Sequence, residues 1–372
     1  MPITRKSLAA AGCALLIAAS ASCDTSERAD AETRARRAVE KLGEWEAVSV
    51  TARVEAPADD VYAFLRRLGG REGGALPSRT DALALSRMET AITVGADKPL
   101  KDVGEGDRLD SGTMVNFGGV DLAGYKSIGT DFYVRADWTR LASELNWGHA
   151  TVTQAAELAG SADELPPSLA AARDMFQGRW VQIDPEEFDH FARAVGGKYG
   201  ERAERLANSV DLLQSARAQH HVVDSVRRAL DEHASFRDAG RRDGAEHITV
   251  SLPARAVARD LAAALGPLEE RFDGIGFAWL ERAPDREVTV DLALRDGALS
   301  GMTVDLAQFA GPEDPEGSGG SGDSGGSGKL PLTLFFAAGQ AVPVEAPQGA
   351  KWLDPQDVMA AALYGELDAS GS

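Results

Sequence analysis

VTVDLALRDGALSGMTVDLAQF, residues 288–309, alternates apolar and polar side chains on either side of Asp296-Gly297. An Asp-Gly pair between two alternating runs signals a two-residue hairpin, because both central positions then adopt positive φ. Val288, Val290, Leu292 and Leu294 share one face of the first run. A strand pair with one apolar face belongs to an antiparallel sheet covered on that face and wet on the other.

Outward from this hairpin, the same pattern recurs. Residues 330–336, LPLTLFF, form a strand, and residues 246–252 form another that leads into a helix over 253–265. Between the hairpin and 330 lies GPEDPEGSGGSGDSGGSG, residues 311–328, a low-complexity tract expected to be a disordered loop joining two sheet strands. The segment 234–246, ASFRDAGRRDGAE, reads as a turn or hairpin connection, and residues 352–363 read as a closing helix opened by Asp354-Pro355.

The N-terminal part repeats the theme. Residues 31–42 suggest a helix ended by Gly43, and WEAVSVTARVE, residues 45–55, alternates as a strand. Residues 57–68 suggest an amphipathic helix with Val61, Phe64, Leu65 and Leu68 on one side. Strands are expected over 83–94, 113–122, 125–135 and 178–184, with Gly118-Gly119 and Gly124 as turns or bulges, and short helices over 137–145 and from Pro185. Residues 200–234 read as helical, with a broken apolar stripe. The segments beginning at Val50 and at Ile248 both run strand, Pro-Ala, helix, with Val61 and Val257 four places after the proline and Leu65 and Leu261 eight places after. Either an alanine-rich chain produces this by chance, or there are two similar lobes.

The expected fold is therefore α+β: curved antiparallel sheets, half-barrel-like, with covering helices. The expected division is a signal peptide over 1–22, a tether over 23–30, and an N-terminal lobe over 31–197. A helical segment over 198–240 and a C-terminal lobe over 241–372 follow.

The first residues locate the protein. Arg5 and Lys6 precede an apolar run from Leu8 to Ala19, and small residues end at Cys23. The run is about 12 residues, short of the roughly 20 that a membrane-spanning helix needs. It reads as a secretory signal cleaved before Cys23, which then carries an acyl lipid such as palmitate. Ser20 stands where such sites usually place an aliphatic residue, so an ordinary secreted protein or an uncleaved anchor are the alternatives. The chain has two cysteines, and Cys13 leaves with the signal, so no intrachain disulfide remains. The implied location is the extracytoplasmic face of the cell membrane, with the folded part outside the bilayer.

Charge narrows the partners. The 372 residues carry 39 basic and 58 acidic side chains, and loss of 1–22 takes the formal charge from −19 to −21. Such a balance argues against nucleic acid, and against binding anionic head groups by overall charge.

No catalytic, cofactor or metal motif stands up. GDSGG at 322–326 matches the setting of a serine-protease nucleophile, but it lies in a tract that cannot hold a triad in place. The GSGK at 326–329 is followed by Leu330 instead of Ser or Thr, and 323 is Asp instead of Gly, so it fails as a phosphate loop. His220, His221, Asp224 and His233 invite a metal reading, yet a solvated helix face with incidental histidines explains them. The expectation is a non-enzyme with no cofactor and no metal.

Two motifs remain, FYVRADW at 132–138 and QGRWVQIDPEEF at 177–188. With Cys23, the strand Tyr133-Val134-Arg135 and the strand from Gly178 to Asp184, the chain resembles actinobacterial lipoproteins of the mycobacterial LppX/LprG type. The resemblance covers residues 30–190. It implies a half-barrel sheet with helices over its concave side, and in those relatives the space between holds acyl chains. A hydrophobic or lipid ligand is the implied partner. The alternative is a surface-displayed structural or protein-interaction module with a filled core.

Overall fold

The computed structural model describes residues 26–69, 77–104, 107–195, 228, 232–271, 283–309, 328–338 and 344–371. Twelve strands form one sheet: β1 Ala47–Val54, β2 Met88–Gly95, β3 Asp110–Phe117, β4 Val120–Ile128, β5 Asp131–Ala136, β6 Val181–Ile183, β7 Ser235–Arg242, β8 Ala245–Pro253, β9 Glu287–Arg295, β10 Ala298–Asp305, β11 Pro331–Ala338 and β12 Lys351–Trp352. Their order is β12-β6-β5-β4-β3-β2-β1-β11-β10-β9-β8-β7. The sheet is open and curved, with β12 and β7 at its edges, and it is not closed into a barrel among the described residues. All pairs are antiparallel except the short β12–β6 contact, which is parallel.

The helices are α1 Ser26–Gly43, α2 Ala58–Gly69, α3 Arg79–Arg87, α4 Trp138–Glu144, α5 His149–Ser161, α6 Ala170–Phe176, α7 Pro185–Val195, α8 Ala254–Arg271 and α9 Pro355–Gly371. The α+β class is as expected, and helices cover one face of the sheet.

Strand alternation explains that face. Val50 is opposite Phe336 and Ile92, Ala52 is opposite Leu334, and Met302 pairs Leu334 and Leu292. Ile248 pairs Leu292, and Phe236 pairs Val250. Apart from Ile92, these side chains meet Ala31, Ala35, Ala38, Val39 and Leu42 of α1 in the largest core. Alanines at this spacing let α1 lie close on the sheet. A second core joins Phe132, Val181 and Ile183 to Leu169, Ala172 and Phe176 and to Leu353 and Ala361 at the C-terminus. Two smaller cores sit beneath α2 with α3 and beneath α3 with α4.

The other face is polar and internally paired. The Thr93 hydroxyl donates to Ser49 at 3.0 Å, Thr333 donates to Glu55 at 2.7 Å, and Arg53 lies 4.5 Å over the Phe335 ring.

The sequence expectations need correction in several places. Residues 83–87 are helical, not strand, because Ser78 and Asp81 form a reciprocal capping box that starts α3. The strands expected over 113–122 and 125–135 are each split, the first at Gly118-Gly119, the glycines read as a turn or bulge and both at positive φ, into the β3–β4 hairpin, and the second at Gly129, also at positive φ, into the β4–β5 hairpin. Residues 235–242 are not a connection but the edge strand β7. Helix α1 begins at Ser26, inside the stretch expected to be a tether. The low-complexity tract, apart from Gly328, lies outside the described residues, as do 200–227 and 229–231 of the stretch expected to be helical over 200–234. The strands flanking that tract, β10 and β11, are direct neighbours.

Strands from the two expected lobes share this one sheet, joined where β1 pairs β11. Both strand–helix segments of the suspected repeat form, as β1–α2 and β8–α8.

Candidate functional site: a half-covered apolar seam

Cross-strand register places two rows of side chains on the helix-covered face between the two large cores. One row runs Val48, Val94, Ser111, Ser127, Phe132, Ile183. The next runs Val50, Ile92, Thr113, Tyr125, Val134, Val181. At the ends of each row the residues are core members. In the middle Ser111 and Ser127 are buried, whereas Ile92, Val94 and Thr113 are half-buried, as are Val48, Tyr125 and Val134, and Ile92 and Val94 belong to none of the four cores. The seam over β2, β3 and β4 is about 10 Å wide at about 4.8 Å per strand.

Four hydroxyls lie in this apolar setting: Ser111, Thr113, Tyr125 and Ser127. Ser111 Oγ is buried and finds no hydrogen-bond partner among the described residues. Tyr125 stacks on Phe132 with ring centroids 5.6 Å apart and planes 14° apart. Burial pushes the Tyr125 phenol above its ordinary value, while the Thr113 hydroxyl beside it acts in the opposite sense. The arrangement offers a hydrophobic strip with a few hydroxyls, which suits an acyl chain bearing an occasional polar group.

Gly124 shapes the sheet beneath the seam. A Cβ there would sit 2.3 Å from Met114 Sδ and 2.4 Å from Thr113 O. The residue marks a close approach inside β4, not the turn or bulge its sequence suggests.

Two clefts open elsewhere among the described residues. One, of about 360 Å³, is lined by Arg255, Ala256, Arg259, Asp285 and Arg286. The other, of about 230 Å³, is lined by Arg87, Phe117, Val120, Arg140 and Glu144. Neither lies on the seam.

Cys23 lies outside the described residues, so the lipidation expectation stays a sequence-based one. Of the histidine group, His220, His221 and Asp224 also lie outside them. His233 places Nε2 2.6 Å from Asp260, with Glu232 close by. A second histidine the sequence reading passed over, His247, is buried on the polar face with Nδ1 2.7 Å from Asp291, whose same oxygen accepts from Arg242. Its other ring nitrogen, Nε2, is buried without a hydrogen-bond partner among the described residues. No helix among the described residues is long and apolar enough to cross a membrane.

The two motifs that carried the family resemblance meet in space. Phe132, Tyr133 and Val134 of β5 pair Ile183, Gln182 and Val181 of β6, and Arg135 Nε donates to Gly178 O at 2.8 Å. Gly178 has φ +70°, and a Cβ there would press Asp137 Cα at 3.0 Å.

The fold and seam define a class: an open, curved sheet, apolar on one face and helix-covered there. No protein-family model matches the chain. No curated protein matches it. Among solved structures it is distantly similar to the Mycobacterium tuberculosis lipoprotein LppX, at 11% identity, covering 84% of this chain and 97% of that one, TM-score 0.32. It is also distantly similar to LprF from Mycobacterium bovis, at 11% identity, covering 87% of this chain and 100% of that one, TM-score 0.32.

Proposed function

We propose that this chain is a membrane-anchored extracytoplasmic lipoprotein, acylated at Cys23, that binds a hydrophobic or lipid ligand along the seam over β2–β4 without catalysing a reaction. The observation that carries this reading is the cluster of half-buried apolar side chains, Ile92 and Val94, that lies on the helix-covered face outside the four cores. Filled cores exclude water from such rows, at about 25 cal/mol per Å² of apolar surface. Here Ile92, Val94 and Thr113 keep part of their surface open. A bound acyl chain would cover it.

Native mass spectrometry with lipid extraction, on residues 24–372 purified from a lipid-containing host, tests this. The expected result is a stoichiometric acyl lipid, lost in Ile92→Asp with the fold intact by circular dichroism. A clean apo mass, unchanged after incubation with envelope lipids, would sink the ligand reading.

A second reading rests on a different surface. Trp352, Met359, Leu363 and Tyr364 are large apolar residues exposed on β12 and α9. Met359 and Leu363 lie one helical turn apart. This patch favours a surface-displayed protein-interaction module. Capture of a partner that Leu363→Glu abolishes, by a chain that takes up no lipid, would favour it over the first.

A further inference from the structure

We propose that the exposed arginines of the β7 edge and the start of α8 dock on anionic phospholipid head groups and set the protein edge-on to the membrane. The orientation rests on the reading that Cys23 carries the anchor.

The path of α1 makes the first argument. Arg34 reaches Asp238 on β7 and Glu246 on β8, while Lys41 Nζ donates to Asp296 O at the β9–β10 turn. Going backwards along the chain, α1 therefore heads from β10 toward β7 and past the sheet's edge. Ser26 lies about 12 Å beyond Arg34 along the axis, at 1.5 Å per residue. From Ser26 to Cys23 the chain can reach at most about 10 Å. An anchor at Cys23 thus holds the β7 edge, not the β12 edge, at the bilayer.

Charge makes the second argument. Arg237 and Arg241 on β7, and Arg259 on α8, are exposed and make no ion pair or side-chain hydrogen bond among the described residues. Arg255 and Arg286 line the same cleft as Arg259, together with Glu287 and with Asp285, which lies 3.4 Å from Arg255. Asp238, the acid within β7, is already engaged by Arg34 and by Gly240 N. A chain of net charge −19 thus carries unpaired arginines on the edge that its anchor approaches. Overall charge averages over the surface, whereas attraction to an anionic leaflet acts only within about a Debye length, near 8–10 Å. The sequence-based argument against head-group binding therefore does not extend to this edge. Arginines and the bulge at Ala239-Gly240 would also guard an edge strand against pairing with other chains, so the test must separate the two roles.

The mature chain has Cys23 as its one thiol, so it can be coupled to a maleimide lipid whether or not the cell acylates it. The coupled chain is placed on vesicles of phosphatidylcholine alone or with phosphatidylglycerol, and arginines are footprinted with phenylglyoxal. Each arginine near an anionic leaflet contributes about a fivefold preference for contact. On anionic vesicles, labelling of Arg237, Arg241 and Arg259 is expected to fall about tenfold, while Arg179 is unchanged. High salt, or Arg237→Glu with Arg241→Glu, should restore Arg259 labelling. Equal labelling on both vesicle types, or equal protection of Arg179, would overturn the proposal. Because the anchor and the vesicles are supplied, neither failed acylation nor an empty seam can mimic that outcome.

Discussion

Val50 and Phe336 stand directly opposite each other across the β1–β11 ladder, so the first strand of the chain is hydrogen-bonded to the last long one. Both belong to the core that α1 covers. Damage here should therefore spread through the whole sheet. Val50→Ala is expected to cost about 2 kcal/mol. Hydrogen exchange should show β5 and β9 amides losing protection by the same amount in one transition. Loss confined to β7–β11 would mean that the two halves unfold independently.

Gly124 has no room for a methyl group. Gly124→Ala should destabilise by about 1–3 kcal/mol, read as a lower urea midpoint with unchanged slope. Adding Met114→Ala should recover only part of the loss, because the Thr113 carbonyl stays at 2.4 Å from the new carbon. Full recovery would show that the sulfur alone sets the constraint.

Asp174 is buried and accepts from Lys351 and from Arg179, the latter at 3.0 Å. It ties β12 to the turn after α6. Removing it leaves two cations whose ends still reach water, so Asp174→Ala should cost about 2 kcal/mol. Lys351→Met should cost less, because Arg179 stays paired. Limited proteolysis between 344 and 353 would rise in the first variant and little in the second.

Acid should loosen the α1–β7 contact. The Arg34 guanidinium, with Gly240 N, holds the Asp238 carboxylate below its ordinary value of 3.8. A depressed folded value stabilises the protein above the ordinary value and is lost as pH falls through the depressed one. Urea midpoints should fall below pH 4 more steeply in the wild type than in Asp238→Asn. Parallel curves would place the acid sensitivity elsewhere.

Tyr125 should report on the seam. Burial raises its phenol above 10.0, so this contribution holds below pH 10 and is lost as pH rises through the raised value. A ligand lying over β2–β4 would remove more water and move the ionisation, followed by absorbance at about 295 nm, still higher. An unchanged midpoint in lipid-loaded protein would put the lipid away from Tyr125.

Local chemistry was legible wherever it was strong. Asp296 and Gly297 adopt φ of 51° and 73°, the hairpin turn their pairing announces. Leu83 and Leu85 looked like strand residues because their alternation outweighed a capping box that begins at Ser78. Strand β7 was missed because Phe236 is its one residue buried against the core, the rest being polar on an edge. The seam carried no signature either, since Ile92 and Val94 read as ordinary core residues.

The sequence by itself determined the α+β class, the alternation that makes one face of each strand apolar, and the candidate anchor at Cys23. Those depend on side-chain periodicity and on short local patterns. Only the tertiary structure decided that β1 pairs β11, that α1 runs from the β9–β10 turn toward β7, and that Ile92, Val94 and Thr113 stay half-buried on the helix-covered face. Those facts rest on which strands lie side by side, and on where nine helices fall on a twelve-stranded sheet among the described residues. Backbone ladders and helix packing are non-local, and periodicity along the chain does not encode their partners.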